Sequence, residues 1–521
     1  MSETAPTRVV VIGYGPVGAR LVDELLPAVR AGLMTVTVVG AEQEIAYNRV
    51  LLAEYAVGRA ERSRLELSDQ QEAIEAGVVF RLGEAVNAIS RTRQDVSLDS
   101  GATVPYDRLV LATGARANIP TLAGLVPSRV GTGGFIDSEA ARLPHGIEVL
   151  RDLRDADVAR EAVTARARIV VLGAGVLGME LALAAREQGS EVVVVYHGDT
   201  PMERNLDAGG GRMLARAAER AGVEMLKHSR AESVLLRTLD NGRQVFDALV
   251  CADGKQIGGD LLVLSCGVAA RTEVAARAGL AVARGILVDE ELRSWTDPDI
   301  FAIGDCAHVA PRGEGDDAVP GGPSGLIGPG WRQADWLAAM LTAEASTVRR
   351  PELLPAETTG VVMLKSEGVN VVAAGHVAGD PWDDDDREIA QWSDPARGRY
   401  FKTIARDGVL EGFVCAGMPR LAAELTLLFQ RGSSLPADPA DLLHLDGIAA
   451  VAAETSGIAA DETVCWCNGV TAGTISECVA HGADSVDAVG SRTRAGTGCG
   501  GCRGRIAQLL AAATPPAAVG A

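Results

Sequence analysis

What most constrains this chain is a strand-turn-helix pattern that occurs twice. Near the N-terminus the sequence reads RVVVIGYGPVGARLVDELL: a β-branched run, then Gly13, Gly15 and Gly18, then helical spacing through Leu21, Leu25 and Leu26. At Ala167 to Ala185 it reads ARIVVLGAGVLGMELALAA, with Gly173, Gly175 and Gly178 in the same places. In such a unit the first glycine permits the tight turn and the second lets a pyrophosphate approach the backbone. The third lets helix and strand pack closely. One glycine-rich turn alone is weak evidence, since such turns without a ligand are common. Here each copy is followed, at a similar distance, by a second matching strand end, LVLATG at Leu109 to Gly114 and LVLSCG at Leu262 to Gly267. The two matched pairs predict an α/β chain with two Rossmann-like dinucleotide-binding domains. Two dinucleotides imply a flavin and a nicotinamide.

Charge and hydropathy narrow the setting. The chain has 49 Lys and Arg against 69 Asp and Glu, a net charge of −20, so a phosphate backbone is repelled over most of the surface and nucleic acid is not an expected partner. No apolar stretch nears the roughly 18 residues a membrane helix needs. The run Val9 to Ile12 stops at Gly13, too early for a secretory signal, so a cytoplasmic location is expected. In that compartment the nine cysteines should be reduced thiols, metal ligands or redox groups. Cys251, Cys266, Cys306 and Cys415 are solitary, whereas Cys465, Cys467, Cys478, Cys499 and Cys502 crowd the C-terminal part.

A third element separates the two nucleotide sites. Thr296 to Ala307 reads TDPDIFAIGDCA, a strand ending in Gly-Asp. It resembles the distal FAD motif of the two-dinucleotide flavoprotein reductases, and the resemblance implies that Asp305 bonds the ribityl-phosphate part of FAD. The nicotinamide domain is then an insertion within the flavin domain. Ala46 to Leu52, AYNRVLL, is similar to the family stretch that lies along the flavin, with Arg49 matching its arginine. Thr113 and Gly114 match its ATG strand end, Arg116 follows, and Glu42 is the nearest acid able to accept ribose hydrogen bonds. Glu180, just past Gly178, matches the family's acid beside the nicotinamide.

Two departures from the family pattern carry information. Ala41 to Ala60 holds no cysteine, so the flavin is expected to reduce something other than a local disulfide. Where reductases of electron-transfer proteins often have a lysine, the chain has Ala53-Glu54; AYNRVLLAEY instead resembles the reductase part of the NAD(P)H nitrite reductase large subunit, with Glu54 a candidate near the flavin. After Glu191 to Val195 comes Tyr196-His197-Gly198, without an acid to hold a ribose 2′-hydroxyl, so NADH and NADPH both stay open, with Arg204 a candidate phosphate contact.

Val464 to Arg503 carries Cys465-x-Cys467 and Cys499-x-x-Cys502, separated by two short helical stretches that Thr471 and Ser485 can cap. Four thiolates suit an iron-sulfur cluster or zinc. The segment resembles the 2Fe-2S domain of bacterioferritin-associated ferredoxin (BFD) along its length, which implies a 2Fe-2S cluster on these four residues; Cys478 reads as a small core residue.

The expected layout is a discontinuous FAD domain (1–147 and 271–345), an NAD(P) domain (148–270) and a small α+β interface domain (346–434). A linker (435–460), a small helical BFD-like domain (461–512) and a disordered tail (513–521) complete it. The order matches the front part of the nitrite reductase large subunit without its siroheme module. It is similar to the electron-transfer subunit of assimilatory nitrate reductase, which passes NAD(P)H electrons to a separate molybdopterin subunit. The expected function is therefore NAD(P)H oxidation through FAD and a 2Fe-2S cluster to a redox partner protein, with no protein acid or base required. A general reductase serving a ferredoxin, rubredoxin or monooxygenase is one alternative. A non-enzymatic iron-handling module is the other.

Overall fold

The computed structural model describes residues 5–125, 135–136, 143–313, 319–346, 348–354, 360–366, 368–382, 386–446, 460, 462–465, 468–498 and 500–513. Its first sheet is parallel, with strands ordered Ile300–Ala302, Arg108–Leu111, Thr7–Ile12, Met34–Gly40 and Val79–Leu82. Val9, Val10 and Val11 are almost wholly buried, as expected for a parallel strand covered on both faces. Helix Pro16–Arg30 lays Leu21, Val22 and Leu25 on that sheet, and helix Ile327–Glu344 packs beside it. The edge strand Ile300–Ala302 comes from far along the chain, so the sheet is closed only after the second domain has been threaded through.

That second domain repeats the design. Its parallel sheet runs Ile147–Val149, Leu261–Leu264, Arg168–Leu172, Glu191–Val195 and Glu224–Leu226, with helix Val176–Glu187 leaving the glycine turn. Gly13 and Gly173 share a reason for being glycine. Their φ values are +106° and +114°, and a Cβ on either would strike a carbonyl oxygen, of Ala112 or of Ser265.

The third domain is a five-stranded antiparallel sheet, ordered Val362–Ser366, Val369–Gly375, Val409–Ala416, Arg399–Arg406 and Glu388–Asp394. Asp407 and Gly408 both have positive φ, the two-residue turn that matches strand twist. Helix Pro419–Arg431 packs on this sheet. The segment expected to be a linker begins differently: Pro439–Asp446 forms a 3-10 helix, Leu442 is buried against the sheet's core, and Asp446 accepts from the Leu421 amide at 2.9 Å. Its apolar Leu435, Leu442, Leu443 and Leu445 explain the packing, which the surrounding Ala, Asp and Pro obscured. Residues 447–459 and 514–521 lie outside the described residues.

The last domain has a two-stranded ribbon, Thr463–Cys465 with Val470–Thr471, and helices Ala472–Ala480, Val486–Thr493 and Arg503–Ala513. Thr471 and Ser485 cap the first two helices by accepting from Thr474 N and Ala488 N. Cys478 is buried in this core. Among the described residues no helix is long and apolar enough to cross a membrane.

One packed carboxylate sets a pH dependence. Burial, reinforced by Glu24, Glu72 and Asp69 and opposed by Arg20, pushes Asp23 up to about 7. Between its ordinary value and that figure the folded state holds a proton the unfolded state has lost, so stability falls as pH rises through this window. Asp23→Asn should therefore stabilise the protein at pH 8, by about 1–2 kcal/mol, and change little at pH 4. Thermal melts at the two pH values measure it.

Candidate dinucleotide and cluster site

The carboxyl ends of the first sheet's strands open onto a cavity of about 1790 Å³. Gly13 and Gly15 line it from the first turn, Glu42 from just past Met34–Gly40, Thr113 and Gly114 from just past Arg108–Leu111, and Asp305 from the 3-10 turn after Ile300–Ala302. Parallel strands place all of these at one edge, where the crossovers leave a crevice. Gly15 differs from Gly13. Its φ is −81°, and a Cβ there would meet no backbone, only Arg49 Nε at 4.0 Å. A side chain at 15 would project into the cavity, so the chain leaves room there for something other than itself.

Charged groups ring this space. Arg49 forms an ion pair with Glu42, donates to the Arg151 carbonyl at 2.8 Å and lies over the Tyr47 ring at 4.8 Å. The Tyr47 hydroxyl donates to Glu42 at 2.7 Å. Burial acts against the Glu42 charge, but Arg49 and Tyr47 outweigh it and hold the carboxyl below its usual range. Arg151 Nη2 pairs with Asp305 at 3.0 Å, and its Nε donates to the Ala115 carbonyl at 3.1 Å. Burial, with Arg49 nearby, holds Arg151 below the usual guanidinium range against the pull of Asp305. Arg271 also lines the cavity, and Thr113 Oγ1 donates to its carbonyl at 2.9 Å. Cations around a glycine turn at a helix N-terminus suit a diphosphate.

Two of the expected residues stand elsewhere. Arg116 is not among the cavity's lining residues; it pairs with Glu273, and its strand Ala115–Ala117 is held against Val268–Ala270. Glu54 also lies off the cavity, in the short helix Leu52–Ala56, with Arg59 Nη1 at 3.6 Å. Arg151 and Arg271 occupy the wall where a cation was expected from Arg116. No motif marked either residue, although Arg151 precedes the capping box of Asp152 and Asp155, a legible helix start.

From the second domain Val176, Leu177 and Glu180, in the first turns of helix Val176–Glu187, line the cavity, whereas Gly173, Gly175 and Gly178 do not. Gly175 repeats the logic of Gly15, with φ −76° and no atom within 4 Å of a Cβ. Past Glu191–Val195, the carboxylate of Glu203 accepts from the Asp199 amide at 2.6 Å and the Thr200 amide at 3.3 Å, filling the loop where the strand end supplies no acid. His197 and Arg204 are exposed beside it.

The last domain reaches the same cavity. Cys465, Gly498, Gly500, Gly501 and Cys502 line it, together with Thr463 and Arg505. The Cys465 thiol is pushed down to about 6, because hydrogen bonds with Cys502 and from the Gly496 and Asn468 amides outweigh burial. A site that favours thiolate in this way fits a metal cluster. Cys467 and Cys499 lie outside the described residues. The solitary thiols behave oppositely: burial pushes Cys266 up to about 12 and raises Cys306 as well.

Comparison with known proteins agrees with this geometry. A BFD-like [2Fe-2S] binding domain matches residues 463–512. The chain is 31% identical over 511 residues to the nitrite reductase [NAD(P)H] large subunit of Klebsiella oxytoca, covering 96% of this chain and 48% of that protein. It is 27% identical over 515 residues to the assimilatory nitrate reductase electron transfer subunit of Bacillus subtilis, covering 96% and 59%. The chain thus spans about half the length of the curated relatives it matches. In fold it is similar to putidaredoxin reductase in its covalent complex with putidaredoxin, with a TM-score of 0.67 and 23% identity over 87% of this chain and 100% of that one. The pyridine nucleotide-disulphide oxidoreductase model matches residues 7–324, and with both glycine turns and the Asp305 strand end in place, the chain belongs to that oxidoreductase family.

Proposed function

We propose that this oxidoreductase oxidises NAD(P)H on FAD and delivers the electrons through a 2Fe-2S cluster to a separate protein, the molybdenum catalytic subunit of an assimilatory nitrate reductase. The observation that carries the reading is the single cavity lined by the first glycine turn, Asp305, Glu180 and the Cys465/Cys502 pair. Bound flavin would supply the conversion from two-electron to one-electron transfer that a nicotinamide and a cluster require.

The chain's own work is to hold the groups in reach of one another. The Gly13–Gly15 turn and Arg151 would take the FAD diphosphate. Glu42 would accept the adenosine ribose hydroxyls, and Asp305 the ribityl-phosphate end. Val176, Leu177 and Glu180 would face the nicotinamide. Cys465 and Cys502, with Cys467 and Cys499, would hold the cluster. Similarity to the B. subtilis electron transfer subunit over 96% of the chain supports the choice of acceptor.

The visible spectrum of anaerobic protein, before and after NADH or NADPH, tests the first half: flavin bands should bleach first and cluster bands next. Cys502→Ser should keep nicotinamide-driven bleaching of the flavin and abolish the cluster bands. Wild-type protein without flavin, or with a flavin that neither nucleotide reduces, would sink the proposal. Nitrate reduction that needs this protein, NAD(P)H and the molybdenum subunit together tests the second half.

A further inference from the structure

One polar contact between the ferredoxin-like domain and the flavin domain is buried. Asn48, beside the cavity-lining Arg49 but not itself in the lining, has no accessible surface. Its Nδ2 donates to the carbonyls of Thr497 and Gly498, both at 2.8 Å, in the loop that leads into Cys499. Carbonyls only accept, so the amide orientation follows from its partners. Oδ1 is used as well: it accepts from Val50 N at 3.0 Å and caps the 3-10 turn Arg49–Leu51. The loop it grips is ordered from within. Thr497 Oγ1 donates to the Arg494 carbonyl at 2.8 Å, and Asn468 Nδ2 reaches that carbonyl at 2.7 Å and Cys465 Sγ at 3.8 Å. A second polar link between the domains, Arg494 to Glu24 at 2.7 Å, joins side chains 38% and 36% exposed, where solvent and salt weaken it.

From these contacts we infer that Asn48 is a positioning residue for electron transfer: its side-chain amide clasps the Thr497–Gly498 carbonyls and selects the docked arrangement in which the cluster loop faces the flavin site. The inference rests on the function proposed above and adds the residue that couples its two halves. One side chain sets both sides of the gap. Its oxygen fixes the turn that presents Arg49, and its nitrogen fixes the cluster loop. No redox chemistry falls to Asn48; with both groups bound, electrons would pass one at a time from reduced flavin to the oxidised cluster, and the clasp would set how often the two sites are in range.

Asn48→Asp in the full-length holoenzyme separates the two sides. The carboxylate still accepts from Val50 N, so the turn persists, but it faces two carbonyls with no proton to offer. The docked population should fall about tenfold or more, from two lost hydrogen bonds and the added repulsion. In rapid mixing with NADH, flavin bleaching should stay within about twofold of wild type, while the cluster's reduction, read by freeze-quench electron paramagnetic resonance, slows about tenfold. Solution scattering should show a larger radius of gyration, a readout independent of turnover. Asn48→Ser, which keeps a capping hydroxyl too short to reach the loop, should behave the same way and serves if the Asp variant fails to fold. Arg494→Glu should change the transfer rate by less than about threefold.

Wild-type scattering and wild-type flavin-to-cluster rates in both Asn48 variants would overturn the inference. If the wild-type cluster takes no electrons from NAD(P)H at all, the proposed function falls instead, and the scattering comparison still decides whether Asn48 holds the domains together.

Discussion

Gly15→Leu protein should fold, purify without bound FAD, and bind added FAD at least about 100-fold more weakly than wild type, the equivalent of nearly 3 kcal/mol. The reason is that Gly15 is a glycine for the ligand's sake. Its extended backbone accepts any residue, and a Cβ there touches no main chain. A leucine would fill the space the cavity keeps at the helix N-terminus. Gly13→Ala makes the contrast. There φ is +106° and the new methyl would strike the Ala112 carbonyl, so the turn itself must shift and stability as well as flavin should be lost. Gly175→Leu should keep stoichiometric flavin and raise the KM for the nicotinamide. Absorbance spectra, FAD titration and thermal melts separate the three. Stoichiometric flavin in the Gly15 variant would place the diphosphate elsewhere.

The second large effect lies at a domain junction. Lys402 is 3% exposed, donates to the Val377 and Gly379 carbonyls at 3.1 and 2.7 Å, and has Asp207 at 3.9 Å as its carboxylate partner. Asp207 also caps helix Ala208–Arg220 by accepting from Gly210 N at 3.0 Å, and it accepts from the Tyr400 hydroxyl. Asp207→Ala should cost about 3–5 kcal/mol, because it strands a buried ammonium and removes a cap. Adding Lys402→Met should recover most of that loss, since an apolar chain of similar length fills the site without a charge. Urea unfolding of the two variants measures the difference. If the double variant were no more stable than the single one, the cap and the tyrosine bond would account for the loss and the ammonium would not.

How far the sequence reached is clearest at the edges of the site. The glycine turns were legible because their geometry is local: strand, turn and helix are contiguous, and Gly13 and Gly173 meet the same constraint in both copies. The cysteine-rich segment was legible as a domain for the same reason, and residues 463–512 match a BFD-like [2Fe-2S] binding domain. Arg151 and Arg271 were not, because a long side chain from an unmarked segment reaches the cavity only through the tertiary fold. Arg116 shows the converse, since its position next to a motif does not fix its direction and Glu273 turns it away. Asn48 and the Asp207–Lys402–Tyr400 cluster depend on pairs hundreds of positions apart. The first part of the expected linker packs as far as Asp446, where scattered leucines outweigh the Ala, Asp and Pro around them.

The late edge strand of the first sheet also sets an order of assembly. Leu111 waits for Ala302, a separation of roughly 190 residues that makes this pairing one of the most non-local in the chain. At about 5–20 residues per second, a ribosome needs about 10–40 s to bridge that gap. In that interval the nicotinamide domain is complete and free to fold, while the flavin domain still lacks Asp305 and one edge of its sheet. On the proposed function, flavin capture would be a late event in biogenesis, and chains interrupted before residue 305 would carry a finished second domain beside an open, sticky sheet edge.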